Sequence, residues 1–325
     1  MAKKKNSVAI TNAIKALEKR YGEVVVMKMG DANIEAETFS SGRPDLDNAL
    51  GGGYGCGKII EIYAESGCGK TGLALEAIAE VQRIGGRAAI IDAEHALNLE
   101  YCKDIGVDVG EVYISQPSYG EMAIETIRAL IRTGEFDLIV VDSVAALTPR
   151  AELEGESGQA NMALQARMMS QGMKLIRGTA SASGCTIMFI NQLRKTIVMY
   201  GPTETTTGGK ALKFYASQRL EIKDKGKIKE GDDIIGFKQQ IKVVKNKIGT
   251  PFKVVTNDII YGKGIDIVTG LIEVLVFEGI IEKKGSYFRY DGTNLAQGMK
   301  KLRVVFEENP DLVEKLQKEL EEKKK

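Results

Sequence analysis

The stretch Ile59-Ile60-Glu61-Ile62-Tyr63-Ala64-Glu65-Ser66-Gly67-Cys68-Gly69-Lys70-Thr71 constrains this chain more than any other. Ile59 to Tyr63 is an apolar, β-branched run and predicts a short buried strand. Beyond the glycines, Leu73, Ala77, Ile78 and Val81 recur at helical spacing until Gly85-Gly86, which predicts a helix that stops there. A strand, a glycine-containing loop, Gly-Lys-Thr and a helix form the context of a phosphate-binding loop. Backbone N–H groups from Ala64 to Thr71 and the positive end of the helix would cradle phosphates. Lys70 would reach the β- and γ-phosphates, and the Thr71 hydroxyl would hold Mg²⁺. The usual pattern has glycine where this chain has Ala64. Alanine adopts a positive φ only at a cost, so Gly67 is expected to supply that freedom instead. An ordinary strand-to-helix loop is the bland alternative. A second glycine cluster, Gly51 to Gly57, is expected to be a turn.

Composition narrows the classes. With 325 residues, 43% of them hydrophobic, the chain can bury a large core and small appendages. Lys+Arg 45 against Asp+Glu 44 leaves +1, so a nucleic-acid surface would have to be a local patch. Four scattered cysteines without a Cys-x-x-Cys pair suit a reducing compartment. The single histidine, His95, excludes multi-His metal sites and argues against a Ser-His-Asp triad. No apolar run reaches the roughly 18 residues of a membrane span, and no signal peptide is visible. The expectation is a cytoplasmic protein.

Ile10, Ile14, Leu17 and Tyr21, closed by Gly22, predict a first helix, and Val24 to Val26 a strand. That arm, residues 1–30, is expected to dock on the main body or on another subunit, since it cannot form a core alone. A core is expected over 31–264, and from about Arg43 to Gly264 helical patterns alternate with apolar strands, the signature of a mainly parallel, helix-covered sheet. Ala88–Ile91 ends at Asp92-Ala93-Glu94-His95, Leu138–Val141 at Asp142-Ser143, and Thr186–Ile190 at Asn191-Gln192. Ligands of open α/β sheets bind beyond the carboxyl ends of the strands. Glu94, Asp142 and Gln192 should therefore share an edge with Gly67. Asp142 would hold Mg²⁺ through its water shell and Glu94 would polarise a water. Gln192 could sense the γ-phosphate, although a glutamine in a loop often does nothing special.

Arg194 to Lys210 couples a basic pair to apolar residues and a Gly-Pro, and suits a nucleic-acid loop. A β-hairpin is the alternative. Lys238, Lys242, Lys245, Lys247 and Lys253 punctuate Phe237–Asn257 without an acid, a pattern usual for a solvated strand face. After Gly264 the pattern changes to a small α/β unit, residues 265–325, with a helix through Ile272, Val276 and Ile280 and a frayed end.

Set side by side, Asp92–Leu97 (DAEHAL), Val140–Pro149 (VVDSVAALTP), Ala166–Gln171 (ARMMSQ), Phe189–Arg194 (FINQLR), Thr205–Ser217 (TTTGGKALKFYAS) and Val243–Lys247 resemble the bacterial RecA recombinase family, in order, from about Val8 to Pro310. The resemblance implies a RecA-type P-loop NTPase core, an N-terminal helix-strand arm and a small C-terminal α/β domain with possible duplex contact. It implies that Lys70, Thr71, Asp142 and Ser143 bind Mg-ATP, that Glu94 activates water and that Gln192 couples ATP to DNA. Asn98, Tyr101 and Tyr261 would flank adenine. Lys245 and Lys247 would reach a neighbour's γ-phosphate. Ile10, Ile14, Leu17 and Phe214 would form the subunit contact of a head-to-tail helical filament. Two DNA loops are implied, one through Glu152–Ala163 with Met162, the other with Arg194, Lys195, Ile197, Gly208 and Gly209. Arg167 and Lys174 on the helix between them would meet phosphates.

Several features depart from the family pattern: Ala64, Gly67 and Cys68 in the loop, Gly72 after Thr71, Asn98-Leu99 near the adenine, and a lysine-rich end instead of an acidic tail. They would fit a divergent, phage-borne member. Cys68 is expected to be reactive. The function implied is a DNA-dependent ATPase that coats single-stranded DNA, pairs it with homologous duplex, exchanges strands and serves as co-protease for a LexA-type repressor. An ATP-binding scaffold with little hydrolysis, a small-molecule kinase and a ring-forming motor are the rivals.

Overall fold

The computed structural model describes residues 7–22, 26–29, 37–155, 162–195, 204–261, 264–265 and 267–324. The chain divides into two units, residues 1–37 and 38–325. In the first, α1 (Ser7–Tyr21) ends at Gly22, whose φ of +74° and N–H to the Glu18 carbonyl close the helix. Ile10 on its apolar stripe is 59% exposed, and Ile14 and Leu17 are half-buried. Of the expected strand Val24–Val26, residues 24 and 25 lie outside the described ones and Val26 carries no regular structure.

The second unit opens with β1 (Thr38–Phe39), α2 (Pro44–Leu50) and β2 (Tyr54–Gly55). β2 pairs with β1, so the Gly51–Gly57 cluster is more than a turn. Then come β3 (Ile59–Ala64), α3 (Lys70–Arg83), β4 (Ala88–Asp92), α4 (Leu99–Asp104), β5 (Tyr113–Ser115), α5 (Gly120–Thr133), β6 (Leu138–Asp142) and α6 (Arg150–Leu153). They are followed by α7 (Met162–Ser183), β7 (Thr186–Lys195), β8 (Glu204–Thr206), α8 (Ala211–Tyr215), β9 (Gln218–Glu230), β10 (Asp233–Asn246), β11 (Val254–Ile260) and β12 (Gly264–Ile265).

The sheet runs β12-β11-β10-β9-β3-β7-β6-β4-β5, with β8 beside β7. β9, β3, β7, β6, β4 and β5 are parallel to one another. Alternation of strand and helix ends sooner than the sequence suggests, because β9 to β12 form an antiparallel meander. Side chains alternate across each strand, and both faces are covered. On β7, Met188 and Ile190 pack with α3 through Leu73, Ala77 and Ile78, while Ile187 and Phe189 pack with α5 and α7 through Ile127, Met169 and Met173. Each fully buried aliphatic contributes about 1.5–3 kcal/mol. The two cores thereby clamp the strand ends at a fixed height.

α9 (Ile267–Phe277), the antiparallel β13 (Glu282–Lys284), β14 (Tyr287–Tyr290) and β15 (Thr293–Gln297), α10 (Met299–Glu308) and α11 (Pro310–Lys324) gather around Leu271, Leu275, Phe288, Phe306 and Leu316. Ile280 follows α9 rather than belonging to it, and the terminal helix runs from Pro310 to Lys324.

Candidate active site

β3 carries the chain to Ala64, fully buried, and the loop Glu65–Gly69 turns it into α3. Gly67 and Gly69 have φ of +74° and +80°. Ala64 is absent from the positive-φ residues and closes an extended strand, so the alanine needs no left-handed turn and Gly67 supplies the freedom. Glu65, Ser66 and Gly67 are exposed and Lys70 is buried. The Lys70 ammonium donates to the Glu65 carbonyl at 2.8 Å. Burial pushes its pKa down, opposed by Cys68, Asp142 and Glu94. Cys68 is 6% exposed, with Sγ 3.8 Å from the Ser66 carbonyl.

The neighbouring strand ends meet this loop. Thr71 Oγ1 donates to Asp142 Oδ2 at 2.7 Å. The Asp142 carbonyl accepts the Ala93 and Glu94 N–H groups at 2.8 and 3.3 Å, pinning the end of β4 to that of β6. Glu94 Oε1 accepts two hydrogen bonds, one from the buried Ser143 hydroxyl and one from Gln192 Nε2 at 3.0 Å. His95 then turns the chain at φ +54°, a conformation that costs a non-glycine residue about 1–2 kcal/mol. Lys70, Thr71, Asp142, Ser143, Glu94 and Gln192 thus come together at one edge.

Two oxygen donors, Thr71 Oγ1 and Asp142 Oδ2, suit a hard cation. Among the described residues no group of three His, Cys, Asp or Glu side chains could hold a metal by itself. Thr71 and Asp142 would fill two positions of a magnesium shell, leaving the others to oxygens from outside this pair.

Burial, chiefly, and the nearby Glu94 carboxylate push the Asp142 pKa up to about 6, against the Thr71 hydrogen bond. An unfolded aspartate titrates near 3.9. A raised folded value means that the protonated carboxyl stabilises the fold below the unfolded value, and this contribution is lost as pH rises through about 6. In nucleotide-free protein with EDTA, Asp142→Asn should raise the thermal midpoint above that pH. The gain should shrink toward about pH 4, which melting curves across the range would check.

Asn98 caps α4, accepting from the Glu100 and Tyr101 N–H groups at 2.9 and 3.1 Å, so it does an aspartate's capping work. Tyr101 leans on α3: a Cβ at Gly72 would stand 2.6 Å from its hydroxyl. The glycine after Thr71 is the seat of that ring. Tyr261 is exposed, 6.1 Å by ring centroid from Phe237, whose Cζ lies 3.5 Å from where a Gly69 Cβ would be.

β7 does not end at Asn191-Gln192. It continues to Lys195 and pairs with β8, Leu193 opposite Thr206 and Arg194 opposite Thr205. The described ends of the segment expected to bind nucleic acid therefore form a two-stranded ribbon rooted in the site, and residues 196–203 between them lie outside the described ones. Arg194 is exposed on it, and Ile197 lies outside the described residues. Met162 begins α7, and Arg167 and Lys174 are exposed along that helix, seven residues apart and so on one side. Gly208 is buried, and Cβ atoms at Gly208 and Gly209 would stand 2.9 Å from Val144 and 2.7 Å from Ala166. These glycines let the returning strand close onto α7.

Lys245 and Lys247 do not join the cluster. Lys245 Nζ donates to the Lys213 and Phe214 carbonyls at 2.9 and 3.1 Å, fastening the short helix that carries Phe214, which is 67% exposed. Burial, with Lys247 and Arg219 adding to it, lowers the Lys245 pKa.

Sequence reasoning missed a buried layer under the site. Glu61, fully buried on β3, pairs with Arg219 Nε and accepts from Asn191 Nδ2 at 3.0 Å. Asn191 also donates to the Thr207 carbonyl, and its Oδ1 accepts the Gln192 N–H at 2.9 Å. One buried asparagine thus ties Gln192 to the strand returning from the basic loop.

Two family models match, the RecA N-terminal domain over residues 8–266 and the RecA C-terminal domain over 269–325. Curated relatives named Protein RecA, from Staphylococcus aureus strains JH9, Newman and JH1, are each 49% identical over 319 residues, covering 97% of this chain and 92% of the relative. Matched across both domains and along nearly its whole length, the chain belongs to the RecA family.

Proposed function

We infer that this chain is a DNA-dependent ATPase of recombination and repair, forming a helical filament on single-stranded DNA, pairing it with homologous duplex and exchanging strands. The supporting observation is the double hold on Glu94, by Ser143 from the nucleotide edge and by Gln192 from the strand that becomes the basic ribbon. Occupancy at one end and grip at the other meet at one carboxylate.

The chain's own groups divide the work. Loop N–H groups from Glu65 to Thr71 hold the phosphates, and Lys70 leaves the Glu65 carbonyl for the γ-phosphate. Thr71 and Asp142 hold Mg²⁺, which when bound offsets charge on phosphate oxygens. Glu94 takes a proton from water as its oxygen bonds to the γ-phosphorus and the bond to the β-phosphate oxygen breaks, leaving ADP and phosphate. Gln192 donates to Glu94 here and turns to the γ-phosphate when nucleotide binds. Its move to the phosphate frees the carboxylate and pulls on β7 toward Arg194. Lys245 and Lys247 act on the next subunit's nucleotide, with Phe214, Ile10, Ile14 and Leu17 in the contact. Met162, Arg167, Lys174, Arg194, Lys195, Ile197 and Gly209 take the DNA-contact role, mainly toward phosphates, while the buried Gly208 shapes the loop. Residues 1–30 serve docking, 31–264 catalysis and strand binding, and 265–325 duplex contact. The filament also presents a surface to a LexA-type repressor.

Phosphate release measured against single-stranded DNA concentration tests this reading, with Lys70→Ala as control. Stimulation that saturates with DNA and vanishes in the control is expected. DNA-independent turnover would favour a small-molecule kinase.

A further inference from the structure

The phosphate loop is held from below by a side chain that no phosphate-loop pattern includes. Loop N–H groups that face an anion leave the loop's carbonyls turned the other way, and buried carbonyls need donors. Gln239 of β10, 1% exposed, supplies one: Nε2 donates to the Cys68 carbonyl at 2.6 Å and lies 3.5 Å from that of Gly69. Its Oε1 accepts from Arg43 Nη1 at 2.6 Å. Arginine has donors only, so it fixes which end of the amide faces the loop. Arg43, also 1% exposed, uses Nε and Nη2 on the two Glu76 oxygens at 2.6 and 3.0 Å. Nη1 also reaches Asn257 Oδ1 at 3.3 Å, and Asn257 donates to Asp45 Oδ2 at 2.7 Å. Glu76 lies on α3, the helix the loop opens, so one guanidinium steadies both the loop and the helix after it. The fit is close: a Cβ on Gly69 would stand 2.5 Å from Gln239 Nε2.

We propose that Gln239 is a positioning residue for ATP, presetting the loop from Cys68 to Gly69, and that Arg43, braced by Glu76, sets Gln239. The proposal rests on the nucleotide reading above. A preset loop binds ground and transition states alike, so its loss appears in KM rather than kcat.

The test compares full-length wild type, Gln239→Leu, Gln239→Glu and Lys70→Ala by DNA-stimulated phosphate release, ATP titration calorimetry and thermal melting. Leucine removes the donor at similar volume. Glutamate keeps the shape and a partner for Arg43 but sets a carboxylate against two carbonyls. Both should raise KM and Kd for ATP about ten-fold, the scale of one hydrogen bond to a buried group, with kcat within about two-fold. If Gln239→Leu does not fold, the isosteric glutamate variant decides. Lowered melting with unchanged KM and Kd would overturn the proposal and leave Gln239 a packing residue. Wild type that does not bind ATP, like Lys70→Ala, would instead overturn the nucleotide reading on which it stands.

Discussion

Glu94→Gln is expected to slow DNA-stimulated ATP turnover by about 10²–10⁴-fold while ATP still binds and still supports DNA binding. The amide keeps an oxygen that can accept from Ser143 Oγ and Gln192 Nε2, so the contacts that place residue 94 survive. What disappears is a basic oxygen able to take the water's proton. Binding depends on other groups, the loop N–H donors, Lys70 and Thr71, none of which the substitution touches. The variant should therefore hold single-stranded DNA in ATP longer than wild type, because in the function proposed above hydrolysis releases the grip. Single-turnover phosphate release beside a DNA-binding assay separates the two effects. Turnover within a few-fold of wild type would remove Glu94 from the role of base.

The nucleotide edge is legible in the sequence because each of its residues follows an apolar run. Four aliphatic residues before Asp142, and Ala88–Ile91 before Asp92, force strands between two covered faces, and polar residues can then appear only where the strand leaves the core. The same rule misplaces the end of β7. Asn191 is polar yet fully buried, satisfied by Glu61 and Thr207, so polarity there marks an internal network and not an exit. The meander from β9 to β12 is hard to read for a related reason. β9 and β10 mix lysines with aliphatics without a clean two-residue alternation, and pairing register carries no signature in one strand alone. Gln239 and Arg43 are invisible because a buried glutamine or arginine is spelled like an exposed one. Only the fold puts β10 beneath the loop.

The largest stability effect should come from the same hidden layer. Arg219→Met is expected to destabilise the protein by about 3–5 kcal/mol, the usual result of leaving one member of a buried ion pair uncompensated. Glu61 is fully buried on β3, three residues before Ala64, and Arg219 provides its charge partner. The guanidinium also lies 4.6 Å over the Tyr63 ring. Among the described residues, removing it leaves Glu61 with the hydrogen bond from Asn191 Nδ2, so a buried carboxylate loses its compensating charge. Adding Glu61→Gln to Arg219→Met should recover most of the loss, since no buried charge remains and the amide oxygen can still accept from Asn191. Denaturant unfolding of the two single variants and the double variant measures the coupling. The same pair sits under Asn191, which fixes both Gln192 and Thr207. The double variant, though refolded in stability, should therefore still show weaker stimulation of ATP turnover by DNA than wild type. A single variant costing less than about 1 kcal/mol would mean that Glu61 is solvated or neutral in the fold, and the link from β3 to the ribbon would then have to run through packing instead of charge.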